Sequence, residues 1–383
     1  MFPQPATTRR LPTPRIFTLA CLLLPAIACA RQPVTPASTT SLAARLDRRA
    51  PALLGEHGVA SVGVALIEDG RVTLAKVYGQ QAPGVPATDA TLFNLASLTK
   101  PVTAEIILRL ASAGALSLDE PMARYWVDPD IATDPRRERL TARIALNHQS
   151  GFPNWRTDGG GGRLAFRFDP GSAFGYSGEG YDYVGRFVEK RVGRDFESLA
   201  QQYVLGPVGM TNTSYSRRGW MRDRLAIPMD TGGRWAQPQV SDSGHWSGAN
   251  NLMTTIGDYV KFVVSVMNGD GLTKAMLAGR RLPAAGPHPP FACKLEPPMP
   301  CPRALNFALG WVRFEYERGP VFAFLGMNDR PGGERTAVYF DPARKRGVVV
   351  LTNGMNNGQR LMLDVLDVVD PGSPVVAFLR QRG

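Results

Sequence analysis

Strand patterns at both ends of the chain, with helical patterns between them, constrain the fold most strongly. Near the start, residues 59–67 and 72–78 are rich in β-branched side chains and flank Asp69-Gly70, a strong β-hairpin signal. Strand patterns return near the end of the chain, at residues 309–316, 321–325, 336–340 and 347–352. The sequence therefore predicts an α+β fold. One antiparallel sheet is built from both ends of the chain and flanked by helices, and a mainly helical domain is inserted into it.

Apolar residues at helical spacing occur between the strand regions and also before the first strand and after the last. This spacing predicts helices over residues 41–55, 97–116 and 256–267, and a final helix over residues 360–369. Residues 117–245 mix helix and loop signals without a strong strand pattern. We expect a cleft where the sheet meets the inserted domain, because pockets form preferentially at such junctions.

Ser97 and Lys100 form the quartet with the most chemical content. In Ser-Leu-Thr-Lys the amine of Lys100 lies one helical turn after the hydroxyl of Ser97, on the same helix face. A lysine amine accepts a proton near neutral pH only where burial or nearby cations disfavour its ammonium form. The quartet therefore predicts a nucleophile with its base in a buried, positively biased pocket. The alternative is a serine helix cap beside an exposed lysine.

The N-terminal 30 residues have the pattern of a secretion signal. Arg9, Arg10 and Arg15 precede an apolar run at residues 16–28 that is too short to span a bilayer. Two kinds of processing stay open: cleavage after a small residue, or lipoprotein processing that leaves Cys29 as an acylated N-terminus and membrane anchor. Residues 31–40 follow as a linker. The sequence predicts a secreted, periplasmic protein.

Cysteine, histidine and charge limit the remaining possibilities. Beyond the signal the only cysteines are Cys293 and Cys301, which predict a local disulfide in an oxidising compartment or else a pair of buried thiols. The histidines are scattered without metal-ligand spacing, so no metal or cofactor is implied. The net charge is +11, but there is no run of five basic residues and no nucleic-acid motif, so we expect no nucleic-acid partner. Nothing in the sequence indicates an oligomeric state.

An ordered series of motifs resembles the serine β-lactamase and penicillin-binding protein superfamily. The likeness is greatest to the class C-like branch, which includes D-alanyl-D-alanine carboxypeptidases and esterases. The motifs lie at residues 93–100 (FNLASLTK), 118–127, 146–153 (LNHQSGFP), 168–178 and 205–213 (LGPVGMTNT). The resemblance implies the β-lactamase/transpeptidase-like fold, with a hydrolase domain over residues 31–383. Its sheet part covers about residues 41–100 and 300–383, and its helical insert about residues 101–255.

The resemblance also implies roles for individual residues. Ser97 attacks a carbonyl carbon, Lys100 and Tyr176 move the proton, and an acyl-enzyme forms on Ser97 before water releases it. The N–H groups of Ser97 and Met327 would form an oxyanion hole, in which a single donor contributes about 3 kcal/mol. Trp155 falls where the family lines its pocket, and either pocket wall or core fits its position.

Two motif positions depart from the family pattern. Gly178 stands where the second motif, Tyr-x-Asn, carries an amide that would bond substrate and Lys100. Phe324 stands where the third motif, Lys-Thr-Gly or His-x-Gly, carries a cation, although Gly326 still permits a close backbone approach. Arg330 or Arg335 would have to supply a replacement cation, but an exposed arginine at a strand end is the simpler interpretation of either.

The combined pattern predicts a secreted or lipid-anchored serine hydrolase. It forms an acyl-enzyme on a small molecule or peptide, and a D-amino-acid peptide from peptidoglycan or a small ester suits the altered motifs better than a penicillin. One alternative is a catalytically impaired family member that binds cell-wall peptides or a protein partner, because the third-motif cation is missing. Another alternative is a true β-lactamase.

Overall fold

An antiparallel sheet organises the part of the chain that the computed structural model describes, residues 41–159, 161–230, 232–328, 333–354 and 356–382. The strands are β1 Ser61–Glu68, β2 Arg71–Ala82, β3 Val85–Pro86, β4 Phe93–Asn94, β5 Met253–Thr254, β6 Ala304–Ala308, β7 Trp311–Tyr316, β8 Gly319–Met327, β9 Arg335–Asp341 and β10 Arg346–Thr352. The α-helices are α1 Leu42–His57, α2 Thr99–Ser112, α3 Ala142–Leu146, α4 Gly178–Val192, α5 Phe196–Ala200, α6 Gly206–Val208, α7 Ile256–Asn268, α8 Lys274–Arg281, α9 Asn356–Val369 and α10 Pro374–Arg382. A 3-10 turn, Ala96–Leu98, precedes α2, and a π-helical turn, Gln201–Leu205, joins α5 to α6.

The eight-stranded sheet joins the two ends of the chain. Its order is β3-β2-β1-β10-β9-β8-β7-β6, with every neighbour antiparallel, and β4 and β5 form a separate two-stranded ladder. In the middle of the sheet Val62 of β1 lies opposite Thr352 of β10. Asp69 and Gly70 both have positive φ, as the tight β1–β2 hairpin requires. The predicted sheet built from both ends of the chain is therefore confirmed.

Apolar side chains cover both faces of the sheet. On one face Phe324 and Phe340 pack with residues of α2, α4 and α7. On the other face Phe314 and Ala323 pack with α1, α9 and α10. Full burial of one large apolar side chain contributes about 1.5–3 kcal/mol, so these two cores hold the helical layers against the sheet. The fold is the predicted α+β arrangement, a sheet with helices on both sides.

Several element boundaries differ from the sequence prediction. Instead of one helix over residues 97–116, the 3-10 turn comes first and α2 begins only at Thr99. The helix predicted at the C-terminal end begins four residues earlier, and α10 follows it. Helix α4 lies in the segment predicted as mixed, where its glycines weaken the helical signal.

The strand predicted over residues 309–316 begins only at Trp311, as β7, and a second strand, β6, precedes it. Leu309 has a φ of 47° and Gly310 a φ of 100°, so the chain turns there, and β6 and β7 form a hairpin on either side. Residues other than glycine rarely adopt a positive φ, and the apolar pattern of the sequence does not show that Leu309 does so. Strand β6 was therefore missed.

The predicted signal at residues 1–30, the anchor at Cys29 and the linker at residues 31–40 lie outside the described residues. Within the part that is described, no helix is both long and apolar enough to cross a bilayer. Cys293 and Cys301 are joined by a disulfide, which confirms the first of the two predicted states. The proposed split into a sheet part and a helical insert remains a prediction, although the strands of the large sheet do lie near the two ends of the chain.

Candidate active site

The turn that carries Ser97 is held in an unusual backbone conformation. Ala96 has a φ of 47°, a left-handed conformation that costs a non-glycine residue about 1–2 kcal/mol. The side-chain oxygen of Asn94 accepts the Ala96 N–H at 2.8 Å, and the Thr99 hydroxyl donates to the Ala96 carbonyl at 2.7 Å. These bonds offset the cost and fix the direction in which Ser97 leaves the turn.

Lys100 is fully buried beside Ser97. Its Nζ donates to Ser97 Oγ at 3.0 Å and to the Ala249 carbonyl oxygen at 3.0 Å, and the residue is 0% exposed. Aromatic rings surround the amine, with ring centroids at 4.8 Å for Tyr176 and 5.9 Å for Trp155. The predicted approach of amine to hydroxyl and the predicted burial are both present, so the exposed-lysine alternative is wrong. Among the described residues, the groups around the amine are the Ser97 hydroxyl, a carbonyl and aromatic rings, and not the cations that the sequence predicts.

Tyr176 is packed between Lys100 and a buried histidine. The His148 ring stacks on the Tyr176 ring with centroids 4.3 Å apart. His148 Nδ1 accepts the N–H of Ser177 at 3.0 Å, which fixes the backbone next to Tyr176. Burial, with the charge of Lys100 as a second cause, holds the pKa of His148 well below its ordinary value. The imidazole is therefore neutral, as an acceptor of a backbone N–H must be.

Trp155 occupies the space that a side chain at position 178 would need. A Cβ added to Gly178 would lie 2.7 Å from Trp155 Cη2, closer than any real contact. Trp155 is half-buried and its ring faces Lys100. Trp155 therefore both packs against the core and forms one side of the pocket around Lys100.

Asn154 brings an amide to the place where the second motif has lost one. Its Oδ1 accepts the Gly178 N–H at 3.0 Å, and because a backbone N–H can only donate, the Nδ2 is the remaining donor of this side chain. Asn154 lines the same cavity as Ser97 and Tyr176. Sequence reasoning missed it, although the residue directly precedes Trp155, which was singled out.

The end of β8 lies against the Ser97 turn. A Cβ at Gly326 would lie 2.1 Å from Thr336 Oγ1 and 2.3 Å from the Leu95 carbonyl oxygen, so only glycine fits. Thr336 Oγ1 also donates to that same Leu95 carbonyl at 2.9 Å. The next residue, Met327, is 53% exposed and lines the cavity together with Ser97. The close approach predicted for Gly326 is confirmed, while the oxyanion role of the Met327 N–H stays a prediction.

The cavity at this site has a volume of about 610 Å³ and a largely apolar wall. Phe324 lines it where the resemblance places a cation. Arg335 also lines it, but the expectation of an exposed arginine is wrong, because Arg335 is buried and donates from one nitrogen to the carbonyls of Asn328 and Glu334. Buried charges need such partners. The other candidate, Arg330, lies outside the described residues.

Two acids stand near the site, the half-buried Asp182 and the buried Glu334. Asp182 Oδ1 accepts a hydrogen bond from Ser247 Oγ at 2.9 Å. Ser247 Oγ in turn accepts the N–H of Ala249, and the carbonyl of Ala249 accepts a hydrogen bond from Lys100. Burial raises the pKa of Asp182 to about 6. Burial also raises the pKa of Glu334, beside Arg335, to about 8. Neither acid carried a motif that would have identified it in the sequence.

Within the described residues no group of three or more histidine, cysteine, aspartate or glutamate side chains is arranged to hold a metal ion. The polar groups at the cavity include the Ser97 hydroxyl, the Tyr176 phenol and the Asn154 amide, and the Lys100 amine contacts Ser97.

Comparison with known families agrees with this geometry. A family model described as Beta-lactamase matches residues 46–368. The chain belongs to the beta-lactamase family. It is therefore a serine hydrolase of the acyl-enzyme type, and its relatives include an esterase and carboxypeptidases.

Two curated relatives show the range of this beta-lactamase family branch. Esterase EstB of Burkholderia gladioli is 26% identical over 289 residues, which cover 62% of this chain and 73% of EstB. The D-alanyl-D-alanine-carboxypeptidase/endopeptidase AmpH of Escherichia coli K12 is 23% identical over 316 residues, covering 77% of this chain and 80% of AmpH. The family assignment made from the sequence motifs is thus confirmed.

Solved structures show the same fold. The penicillin-binding protein homologue of Pyrococcus abyssi has a TM-score of 0.68 at 21% identity, covering 87% of this chain and 78% of its own. The D-alanine carboxypeptidase AmpC of Burkholderia cenocepacia has a TM-score of 0.66 at 20% identity, covering 85% and 98%. A class C beta-lactamase also reaches 0.66, at 17% identity, covering 85% and 96%. The predicted β-lactamase/transpeptidase-like fold is confirmed for this family member.

Proposed function

We propose that Ser97 is the nucleophile of an ester or amide hydrolase. The observation that carries the proposal is the 3.0 Å contact between Lys100 Nζ and Ser97 Oγ inside a buried pocket. Once the amine has given up a proton, its lone pair lies within hydrogen-bond reach of the serine hydroxyl and can accept the serine proton. The Tyr176 ring against the same amine supports a second proton carrier at the same place.

The reaction proceeds in two halves. Ser97 Oγ bonds to the carbonyl carbon while its proton passes to the pair formed by Lys100 and Tyr176, and the leaving alcohol or amine departs with a proton from that pair. Water then attacks the acyl-enzyme, gives a proton to the pair, and releases the acid as the proton returns to Ser97. The N–H groups of Ser97 and Met327 stabilise the negative oxygen in both halves. Gly326 lines the cavity in which the substrate would lie, and Gly178 and Trp155 are proposed to contact it from beside Lys100.

The substrate we infer is a D-amino-acid peptide or a small ester. The names of the relatives, an esterase and D-alanyl-D-alanine carboxypeptidases, support this pair of classes. Phe324 disfavours a substrate that depends on a cation beside its carboxylate, and Gly178 has lost the second-motif amide. Both changes weigh against a penicillin and favour the ester of the two proposed classes.

We further propose that the protein acts outside the inner membrane. The N-terminal pattern supports export with a signal at residues 1–30, either released or held by a lipid on Cys29. The Cys293–Cys301 disulfide supports an oxidising compartment such as the periplasm. Mass spectrometry of the mature N-terminus from cell fractions tests both forms.

Labelling of the mature protein with a fluorophosphonate tests the nucleophile. We expect one adduct by intact mass, its absence in Ser97→Ala, and its retention in the exposed control Ser243→Ala. A folded protein that takes up no label, yet binds muropeptides, would contradict the proposal and favour a binding role. Rapid turnover of a chromogenic cephalosporin, faster than that of esters and D-alanyl peptides, would instead favour a true β-lactamase.

A further inference from the structure

We propose that the cavity at Ser97 binds a long apolar chain of an ester substrate. This inference rests on the proposed function of Ser97 and narrows it to esters of hydrophobic acids or alcohols. The acyl carbon bonds to Ser97 Oγ as the alcohol leaves with a proton, and water later releases the acid. The hydrocarbon chain of the substrate takes no part in the reaction, and its burial in the cavity contributes to binding.

The cavity passes from the catalytic side chains to the core on the far face of the sheet. Ser97 and Tyr176 share one continuous cavity with Phe378 and Leu379 of α10. Between them its lining includes residues of β6, β7, β8 and α9, among them Leu305, Phe314, Ala323 and Met362. The volume of about 610 Å³ lies within the usual range for sites that bind small molecules.

The segment at residues 283–303 contributes Pro289 to the lining of this cavity. On the catalytic side Gln149 Nε2 donates to the carbonyls of Ala285 and Pro287, both at 3.0 Å. On the far side the Phe291 ring stacks on Phe378 with centroids 5.8 Å apart. The Cys293–Cys301 disulfide closes the part of the segment beyond Phe291. These contacts lie on either side of Pro289 along the chain and hold it in place against the cavity.

The lining is mostly apolar, which suits the binding of a hydrocarbon chain. Phe324 replaces the family's cation, and the guanidinium of Arg335 donates to two backbone carbonyls. Most of the remaining lining side chains are leucine, phenylalanine, methionine, valine or alanine. An apolar chain gains free energy on leaving water for such a wall, whereas a carboxylate loses its hydration.

Two series of esters test the proposal and locate the chain. The first comprises p-nitrophenyl esters from acetate to dodecanoate, and the second comprises acetate esters of alcohols of the same lengths. We expect kcat/KM to rise about fourfold for each of several added methylenes, which corresponds to about 0.8 kcal/mol per buried CH₂. A rise in the first series places the acyl chain in the cavity, and a rise in the second places the alcohol there. Flat or falling values in both series would overturn the inference.

A blocking variant with a matched control sharpens the test. Ala323 lines the cavity and is 3% exposed, so Ala323→Phe fills the space and is expected to abolish the rise with chain length while p-nitrophenyl acetate is still hydrolysed. Val321 lies two residues earlier on the same face of β8, outside the lining, and Val321→Phe should keep the chain-length profile. Equal profiles in the folded variants would contradict the inference.

Binding to an inactive variant separates this inference from the proposed function. Ser97→Ala should bind decanoate, but not acetate, in isothermal titration calorimetry, and Ala323→Phe should weaken that binding at least tenfold. Decanoate binding without hydrolysis of any ester would contradict the catalytic role of Ser97 and leave the apolar site standing. Hydrolysis of acetate esters without decanoate binding would overturn the apolar site alone.

Discussion

At the scale of single residues, two side chains outside the second motif, Trp155 and Asn154, occupy the place of the amide that the motif lacks. Gly178 lacks the expected amide, Trp155 fills the vacated space, and Asn154 places its own amide in the cavity with Ser97. The change at one position is thus matched by two side chains on a different loop. This is a property of packing, because residues 154 and 178 are far apart along the chain.

Restoring asparagine at position 178 should therefore harm the protein. Gly178→Asn drives a Cβ into the Trp155 ring, and overpacking of this kind costs about 1–3 kcal/mol. We expect a lower Tm by thermal unfolding, and recovery of most of the loss in Gly178→Asn combined with Trp155→Ala, which removes the ring. Equal Tm values for the wild type and Gly178→Asn would show that Trp155 does not restrict this position.

Removal of the Asn154 amide should reduce catalysis. Asn154→Ala is expected to lower kcat/KM for p-nitrophenyl acetate about tenfold to a hundredfold, because each factor of ten corresponds to about 1.4 kcal/mol of lost hydrogen bonding. Asn154→Asp keeps the oxygen that accepts the Gly178 N–H but removes the donor. A similar loss in Asn154→Asp at unchanged Tm identifies the donor as the important group. Wild-type kcat/KM in both variants would exclude a catalytic role for the Asn154 amide.

Glu334 should make stability depend on pH. Burial raises its pKa in the folded protein from 4.5 to about 8, so between these values the folded state holds a proton that the unfolded state releases. The stabilisation is complete below about pH 4.5 and is lost as the pH rises towards 8. We expect Glu334→Gln to remove this part of the decline in Tm between pH 5 and pH 8. Parallel pH profiles for the wild type and the variant would contradict the assignment.

At the scale of elements, glycine allows close packing around helix α4. Gly180 approaches the Ser150 side chain, and a Cβ at Gly185 would lie 2.5 Å from Trp246. The same glycines lower the helical propensity of the segment, which is why the helix was missed in the sequence. Its other signals agree with a helix: Ser177 accepts the Gly180 N–H as an N-cap, and Gly193 ends the helix with a φ of 74°.

Two glycine-to-alanine changes should have opposite effects on stability. Gly185→Ala creates the clash with Trp246 and is expected to destabilise by about 1–3 kcal/mol despite the better helix propensity of alanine. Gly55 of α1 has no atom within 4 Å of an added Cβ, so Gly55→Ala should stabilise by about 0.5–1 kcal/mol. Urea titration measures both. Stabilisation by Gly185→Ala would contradict the packing argument.

At the scale of the whole molecule, the end of the chain helps to build the site of a nucleophile almost three hundred residues earlier. β10 lies beside β1 at the centre of the sheet, and α9 and α10 pack on the sheet face opposite α2. Phe378 of α10 contacts the rings of Phe291 and Phe314 and lines the cavity of Ser97. The C-terminal helix is therefore part of the core and not an appendage.

Truncation of Phe378 should weaken the entire fold. Phe378→Ala is expected to lower the free energy of unfolding by about 3 kcal/mol, as large-to-small changes of buried phenylalanines do. Leu282→Ala, at a position that is 62% exposed, should stay within about 0.5 kcal/mol of the wild type. Chemical denaturation followed by tryptophan fluorescence compares the two. A change at Phe378 as small as that at Leu282 would show that α10 contributes little to the core.

The fold class, the family and the central pair of residues could be predicted from the amino-acid sequence alone. Strand patterns and the Asp69-Gly70 turn depend on neighbouring residues, and Ser97 and Lys100 are three positions apart, so a single helical turn brings them together. The position of Asn154 beside Gly178, the burial of Arg335 and the reach of α10 to the cavity could be seen only in the folded chain. These features depend on contacts between segments distant along the chain, and local periodicity carries no information about which distant side chains share a space.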